Sequence, residues 1–201
     1  MIKYHWIEQN TEAWHSLRTG RFTASSADKL LSDPKTKGYQ DLISRVGDEQ
    51  FTGEKSESIK FSGNAYTERG HELEQQAIDS FEFEYIKENL TVKPIGFVEC
   101  SKYIGCSPDG FVGTNLIQVK CPIFTTQEGY LSKLKVPGNY YKQMQFEMLC
   151  TGSLLNYFYS YHPRLKSVCI PVDRDKKMII EIAKRLRHAI NEVEERLEKL
   201  K

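Results

Sequence analysis

The order of helical and strand-like patterns along the chain is the feature that most constrains its fold. Residues 10–85 are dominated by helical patterns, with a polar loop expected over 47–63, and residues 90–122 change to short apolar runs typical of strands. A helix, two strands and a closing helix are predicted over 139–201. Helices packed on a sheet define the α/β or α+β class. At 201 residues, one domain over 1–201 is expected.

A predicted hairpin is the clearest local signal in the strand region. Two apolar runs flank the turn sequence Gly113-Thr114-Asn115, and the second run covers 116–121. Because side chains alternate along a strand, Gln118 and Lys120 share one face of this run, and its other face is apolar. A lysine on such a face usually points to solvent. However, the turn also returns Asp109 to the level of Gln118 and Lys120, which favours a functional site.

Acidic side chains beside a lysine are the groups that a phosphodiester hydrolase needs. Carboxylate oxygens bind hard divalent cations. Such cations activate water and neutralise charge on the phosphate in the transition state. A lysine polarises the attacking water and stabilises the developing oxyanion.

The charge balance of the chain excludes two classes of protein. With 28 Lys and Arg against 27 Asp and Glu, the formal net charge is +1, which argues against a histone-like polycation and against a strongly acidic mimic. Acidic residues are nevertheless concentrated, since residues 48–90 carry 11 acids and four bases. An exposed acidic helix explains this segment without a specific role.

Cysteine spacing and hydropathy predict where the protein works. The cysteines lie at 100, 106, 121, 150 and 169, and no C-x-x-C pair indicates a zinc ribbon or a thioredoxin. The chain opens without a long apolar run, and no stretch approaches the length of a membrane span. We therefore expect a cytoplasmic protein with reduced thiols and no membrane partner.

Several short segments together resemble one nuclease family. Asp109 followed by Gln118-Val119-Lys120 resembles the PD-(D/E)XK nuclease motif, with a glutamine in place of the second acid. Other segments, in matching order, are similar to the phage lambda exonuclease family of YqaJ-like alkaline exonucleases within that superfamily. These segments are 17–25, 70–77, 106–110, 120–122, 140–145 and 161–164.

The resemblance implies a fold and a metal site. The fold is a PD-(D/E)XK restriction-endonuclease-like core, in which helices flank a central mixed sheet. Asp109 and Glu74 would bind Mg²⁺, or Mn²⁺ as a substitute, together with the backbone carbonyl of Val119. Lys120 would be the catalytic lysine, and Gln118 occupies a position that is both catalytic and metal-ligating in the family.

The same resemblance implies contacts with DNA. Gln143 would lie near the reacting phosphate and hold Lys120 or water. Arg18, Ser25 and Ser107 would form a pocket for a 5′-terminal phosphate. A guanidinium group with two hydroxyls suits a dianionic end group better than an internal diester.

Gln118 is the departure from the family pattern. An amide keeps the shape of glutamate but removes its charge, and its NH₂ group cannot bind Mg²⁺. Three explanations are open: an active-site substitution introduced by design, a natural protein in which another acid compensates, or a natural inactive homologue. The sequence favours the first because the rest of the motif set is intact. Gln118→Glu is then expected to restore or raise Mg²⁺-dependent cleavage.

The implied activity is a Mg²⁺-dependent 5′→3′ exonuclease that acts on double-stranded DNA ends and leaves 3′ tails for recombination, inactivated in this form by Gln118. The resemblance also implies a ring-shaped homotrimer, a single-strand annealing protein as partner, and a bacterial or phage-infected cell as the setting. Two alternatives are an endonuclease of the same superfamily and a DNA-end-binding homologue that does not cleave.

Overall fold

A computed structural model of the chain describes residues 1–56, 65–85 and 90–200, so part of the predicted loop 47–63 lies outside the described residues. The helices are α1 (Glu12–Arg18), α2 (Ala27–Leu30), α3 (Lys37–Thr52), α4 (Ala65–Tyr85), α5 (Phe124–Lys133), α6 (Gly138–Thr151) and α7 (Lys176–Glu198). The strands are β1 (Lys3–His5), β2 (Phe22–Thr23), β3 (Val92–Lys93), β4 (Phe97–Glu99), β5 (Ile104–Cys106), β6 (Gly110–Val112), β7 (Asn115–Lys120), β8 (Leu155–His162) and β9 (Leu165–Asp173).

The described strands form two sheets. The larger has the order β3-β6-β7-β8-β9, and it is mixed because β7 pairs antiparallel with β6 and parallel with β8. The smaller has the order β1-β4-β5-β2. The predicted fold class and the predicted central mixed sheet are therefore confirmed. The second sheet was not anticipated, because its strands are two or three residues long and show no alternation.

The larger sheet lies between two helices. On one face, Ala77 of α4 lies in a buried cluster with Ile117 and Val119 of β7. On the other face, Met144 of α6 lies in a buried cluster with Leu116 of β7. Burial of apolar area on both faces stabilises this three-layer arrangement. Strand alternation therefore places the even-numbered residues of β7 on the α6 face.

The hairpin between β6 and β7 is confirmed, and its turn is tight. Val112 pairs with Asn115, so only Gly113 and Thr114 connect the strands. Gly113 has a φ of +62°, a conformation that glycine adopts without steric cost. The register fixed by this turn pairs Gly110 with Ile117. It therefore brings Asp109 to the level of Gln118.

The prediction of a loop from residue 47 onward is wrong for its first part. Helix α3 continues to Thr52, and Gly53 ends it with a φ of +75°. Gly47 is buried, and a Cβ added there would lie 3.6 Å from Arg196 on α7. Gly47 therefore lies inside α3 beside α7 and does not end the helix. Among the residues described, no helix is both long and apolar enough to span a membrane.

Candidate active site

Asp109 is the centre of a compact polar group on the hairpin. One of its oxygens, Oδ2, accepts a hydrogen bond from Gln118 Nε2 at 2.6 Å and another from the backbone N–H of Val119 at 2.6 Å. Lys120 Nζ lies 3.9 Å from the same oxygen. The structure thus brings together the aspartate, glutamine and lysine that the hairpin register predicted would be neighbours.

Lys120 lies at the edge of this group and stays partly exposed. Its ammonium donates a hydrogen bond to the backbone carbonyl of Val119 at 2.8 Å. The same ammonium lies 5.3 Å from the ring centroid of Tyr140, on the first turn of α6. A cation over an aromatic face is attracted by the ring quadrupole. Tyr140 therefore holds the lysine at the open side of the site, a contact that the sequence did not predict.

A chain of side-chain amides runs from Asp109 into the interior. Gln118 is fully buried, and its Oε1 accepts a hydrogen bond from Gln143 Nε2 at 2.7 Å. The same Gln143 nitrogen donates to Glu147 Oε1 at 3.0 Å. At the inner end, Asn156 Nδ2 donates to Glu147 Oε2 at 3.0 Å. Gln143 therefore joins the residue at position 118 to an acid that the sequence analysis missed.

Glu147 lies one helical turn after Gln143 on α6 and has no exposed surface. Burial raises the pKa of its carboxyl to about 8, and the nearby carboxylate of Asp109 adds to that rise. The sequence feature that could have pointed to Glu147 is its i, i+4 spacing from Gln143, which puts both side chains on one helical face. That spacing could not reveal that the face is buried.

Glu74, the other predicted ligand, lies on α4. It precedes Ala77 by three residues, which places it near the side of α4 that packs on the sheet. Its side chain is half-buried. The structure therefore puts Glu74 on the helix across the sheet from Gln143, and its role as a metal ligand stays a prediction.

The three residues predicted to bind a terminal phosphate are in contact. Arg18, the last residue of α1, donates from Nη1 to Ser107 Oγ at 2.9 Å and from Nη2 to Ser25 Oγ at 3.3 Å. Trp14 contacts both Ser107 and Arg18. Its Nε1 donates to Ser107 Oγ at 3.0 Å, and its ring centroid lies 4.2 Å from the guanidinium carbon of Arg18. Sequence reasoning did not identify Trp14.

The electrostatics of this pocket favour an anion. Burial lowers the pKa of Arg18 to about 10, and the positive charge of Arg45 lowers it further. Glu49 pairs with Arg45 at 2.7 Å, and in the described part of the chain no carboxylate forms an ion pair with Arg18. The two hydroxyls accept hydrogen bonds from two of the five N–H groups of the guanidinium and do not neutralise its charge. An anionic ligand would supply the missing charge.

The pocket and the hairpin site are neighbours along the chain. Ser107 and Asp109 are separated by one residue, so their Cα atoms are at most about 7 Å apart. The Arg18 pocket and the Asp109 site are therefore joined by a link of two residues that begins at Ser107.

The donors around Asp109 fit a hard cation. They are the carboxylate itself and the backbone carbonyl of Val119, which accepts a hydrogen bond from the same lysine that lies beside Asp109. Gln118 turns its NH₂ group to Asp109 and its oxygen to Gln143, so it offers no donor to a cation in this arrangement. Within the described ranges, no three His, Cys, Asp or Glu side chains are arranged to hold a metal ion. Mg²⁺ requires no such cage, because it is usually bound by one or two carboxylates and completes its shell with water and substrate phosphate.

A mixed sheet with an aspartate and a lysine on one hairpin defines the PD-(D/E)XK class of nuclease fold. The sequence profile of the YqaJ-like viral recombinase domain matches residues 13–153, which is more than half of the chain. The chain therefore belongs to the YqaJ-like viral recombinase family, and the resemblance predicted from its motifs is confirmed.

Solved structures agree with this assignment. An alkaline exonuclease (LHK-Exo) from Laribacter hongkongensis is 31% identical, with a TM-score of 0.84 over 94% of this chain and 96% of that one. Its complex with dAMP is 32% identical with the same TM-score and coverage. A phage related exonuclease from Haemophilus somnus 129PT, 19% identical with a TM-score of 0.64 over 90% and 96% of the two chains, shares the fold. The comparison with curated proteins gave no match. Family and fold together indicate a nuclease role on DNA.

Proposed function

We propose that the chain is a single-domain, divalent-metal-dependent 5′→3′ exonuclease that acts on double-stranded DNA ends and leaves 3′ tails for recombination. One observation carries this proposal: a partly buried guanidinium, held by two hydroxyls and paired with no carboxylate of the described residues, contacts Ser107, which precedes Asp109 by two residues. Such a pocket suits the dianionic phosphate at a 5′ end.

Each residue of the site has a role in this proposal. Asp109 and the Val119 carbonyl would hold Mg²⁺ or Mn²⁺, with Glu74 as a further ligand. The bound cation would supply an activated water and neutralise phosphate charge. Lys120, whose ammonium lies 3.9 Å from Asp109, would orient that water and stabilise the developing oxyanion. Gln143 would position the amide of Gln118.

The assembly and partners of the protein belong to the same proposal. The 31% identity to an alkaline exonuclease over nearly the whole chain, and membership of a viral recombinase family, support a role in recombination. We propose a ring-shaped homotrimer that encloses the DNA duplex, and a single-strand annealing protein that receives the 3′ tail. The cytoplasm of a bacterial or phage-infected cell is the proposed setting.

A second candidate is a DNA-end-binding protein that does not cleave. It is favoured by the 2.6 Å hydrogen bond from Gln118 Nε2 to Asp109 Oδ2, because that amide group takes a carboxylate oxygen that a cation would use. An endonuclease is disfavoured by the Arg18 pocket, since internal phosphates offer one negative charge and no free end.

One set of substrates tests these functions together. Linear duplexes with a 5′-phosphate or a 5′-hydroxyl, and a closed circular duplex, are incubated with the protein and Mg²⁺. The proposal predicts cleavage of linear DNA only, faster with the 5′-phosphate, and loss of most of this preference in Arg18→Ala. Binding of ends without cleavage would support the second candidate, and cleavage of the circle would support an endonuclease.

A further inference from the structure

Glu147 is a buried acid whose presence the proposed function does not yet explain. Its side chain has no exposed surface, and its carboxylate oxygens accept hydrogen bonds from Gln143 and Asn156 at 3.0 Å each. Taking a carboxylate out of water is costly unless charge or hydrogen bonds compensate. Neighbouring positions of α6 carry buried apolar side chains, so packing alone does not require an acid here.

Glu49 is a second buried acid, and its contacts indicate a structural role. Glu49 is 4% exposed and forms an ion pair with Arg45 at 2.7 Å. It also accepts a hydrogen bond from the backbone N–H of Gly20 at 2.8 Å, which ties α3 to the turn after α1. Glu147 differs, because among the described residues its hydrogen-bond partners are neutral amides and no basic side chain pairs with it. Ionisation of Glu147 would therefore be stabilised by a cation bound nearby.

We propose that Glu147 supplies the negative charge that position 118 lacks, so that the second acid of the site stands on α6 instead of β7. The inference rests on the proposed metal-dependent function. Once a bound cation favours the ionised form of Glu147, Asp109 and Glu147 together would give the site the two negative charges that an Asp and a Glu at 109 and 118 would give. This favours the second explanation of Gln118, a natural protein in which another acid compensates.

The hydrogen-bond chain shows how this acid acts as a positioning residue. Glu147 Oε1 accepts from Gln143 Nε2, and the same nitrogen donates to Gln118 Oε1 at 2.7 Å. Gln118 is thereby held against Asp109. Glu147 therefore fixes the geometry through two amides and adds attraction for a cation in a poorly solvated region. A cation bound at Asp109 in turn favours the ionised form of a nearby carboxyl.

A double-mutant cycle between positions 118 and 147 tests the inference without depending on cleavage. Mn²⁺ affinity is measured by titration calorimetry on the full chain without DNA, for the unmodified protein, Glu147→Gln, Gln118→Glu and the double variant. We expect Glu147→Gln to weaken Mn²⁺ binding by about tenfold or more when residue 118 is glutamine. The same change should cost less than about threefold when residue 118 is glutamate, because the charge is then present on β7.

Equal costs in the two backgrounds would overturn the inference, as would unchanged Mn²⁺ binding in Glu147→Gln. Glu49→Gln is the matched control: it removes a buried charge and is expected to lower the melting temperature but leave Mn²⁺ affinity within about threefold. If Glu147→Gln does not fold, Glu147→Met takes its place with the same two expectations, because it removes the charge and leaves an apolar side chain of similar volume. Cleavage measured in parallel separates the proposals: a protein that cuts but shows no 118–147 coupling refutes this inference alone, whereas coupling without cleavage refutes the exonuclease alone.

Discussion

The Arg18 pocket and the hairpin site are joined by a short stretch of chain but differ in how their polar groups are satisfied. In the pocket, Arg18 keeps a net positive charge that two hydroxyls cannot neutralise. In the hairpin site, Asp109 already accepts two hydrogen bonds at 2.6 Å from β7. The pocket is therefore ready for an anion, whereas the hairpin site must exchange internal hydrogen bonds for a cation. We expect end recognition to precede the assembly of the metal site.

The largest expected effect comes from removing the charge of the hairpin site. Asp109→Asn should lower Mg²⁺-dependent cleavage by about 10³-fold or more, because the anchoring carboxylate for the cation is lost. Binding of 5′-phosphorylated ends should persist, because the pocket is untouched. Cleavage rates and end-binding affinities are compared with those of Asp79→Asn, an exposed change on α4. Loss of end binding in Asp109→Asn would show that the two regions are not separable.

The next effect concerns stability without metal. Gln118→Glu replaces the amide that donates to Asp109 by a second carboxylate, and should lower the free energy of unfolding by about 1–2 kcal/mol in EDTA. Excess Mg²⁺ should recover most of this loss by binding the folded state. Chemical denaturation with and without Mg²⁺ measures both quantities. A variant as stable as the unmodified protein in EDTA would contradict the view that the hairpin site is internally satisfied.

A smaller effect distinguishes charge from geometry in the pocket. Arg18→Lys keeps the positive charge but cannot donate to Ser107 and Ser25 at once from a planar fork, so the preference for 5′-phosphate should fall by about tenfold. The ratio of cleavage rates on phosphorylated and hydroxyl ends measures it, and Arg187→Lys, on the exposed side of α7, is the control. A full preference in Arg18→Lys would mean that charge alone is recognised.

The smallest expected effect concerns Trp14, whose ring packs against Arg18. Trp14→Phe keeps an aromatic face under Arg18 but removes the Nε1–H, which is shared between Ser107 Oγ at 3.0 Å and the backbone carbonyl of Gly96 at 2.9 Å. The affinity for phosphorylated ends should fall by at most about 1 kcal/mol, because Ser107 loses one contact that orients its hydroxyl. Fluorescence anisotropy of a labelled duplex measures it, with the 5′-hydroxyl duplex as reference. An equal loss on both duplexes would refute a specific role for Trp14.

The hairpin and the buried chain behind it differ in how far sequence predicts them. Alternation along β7 and a two-residue turn are local, so the neighbourhood of Asp109, Gln118 and Lys120 followed from the sequence. The burial of Glu147 depends on α6 packing against β7 and β8, which no local pattern encodes. Arg18, Ser25 and Ser107 were identified by resemblance, since α1, the turn after β2 and the segment after β5 meet only in the folded chain.

The fold shows the same contrast. The closing helix was expected, and its apolar residues Ile182, Leu186 and Val193 recur at helical spacing and are buried. The end of α3 was misplaced because the polar composition of residues 47–63 was interpreted as a loop. Residues 47–52 continue the helix, and Gly47 is buried beside Arg196 of α7. Local sequence patterns therefore predicted which helices form, whereas the residue at which α3 ends was not predicted from them.

The short link between Ser107 and Asp109 fixes the separation between the Arg18 pocket and the hairpin site. Pro108 between them has a restricted φ, and its carbonyl accepts a hydrogen bond from Gln9 Nε2 at 3.0 Å, which ties the link to the N-terminal segment. On the proposed function, the pocket that binds the strand end and the site that cleaves the strand are held two residues apart on the same backbone. The length of the released fragment is then fixed by the backbone and stays constant from the first cut to the last.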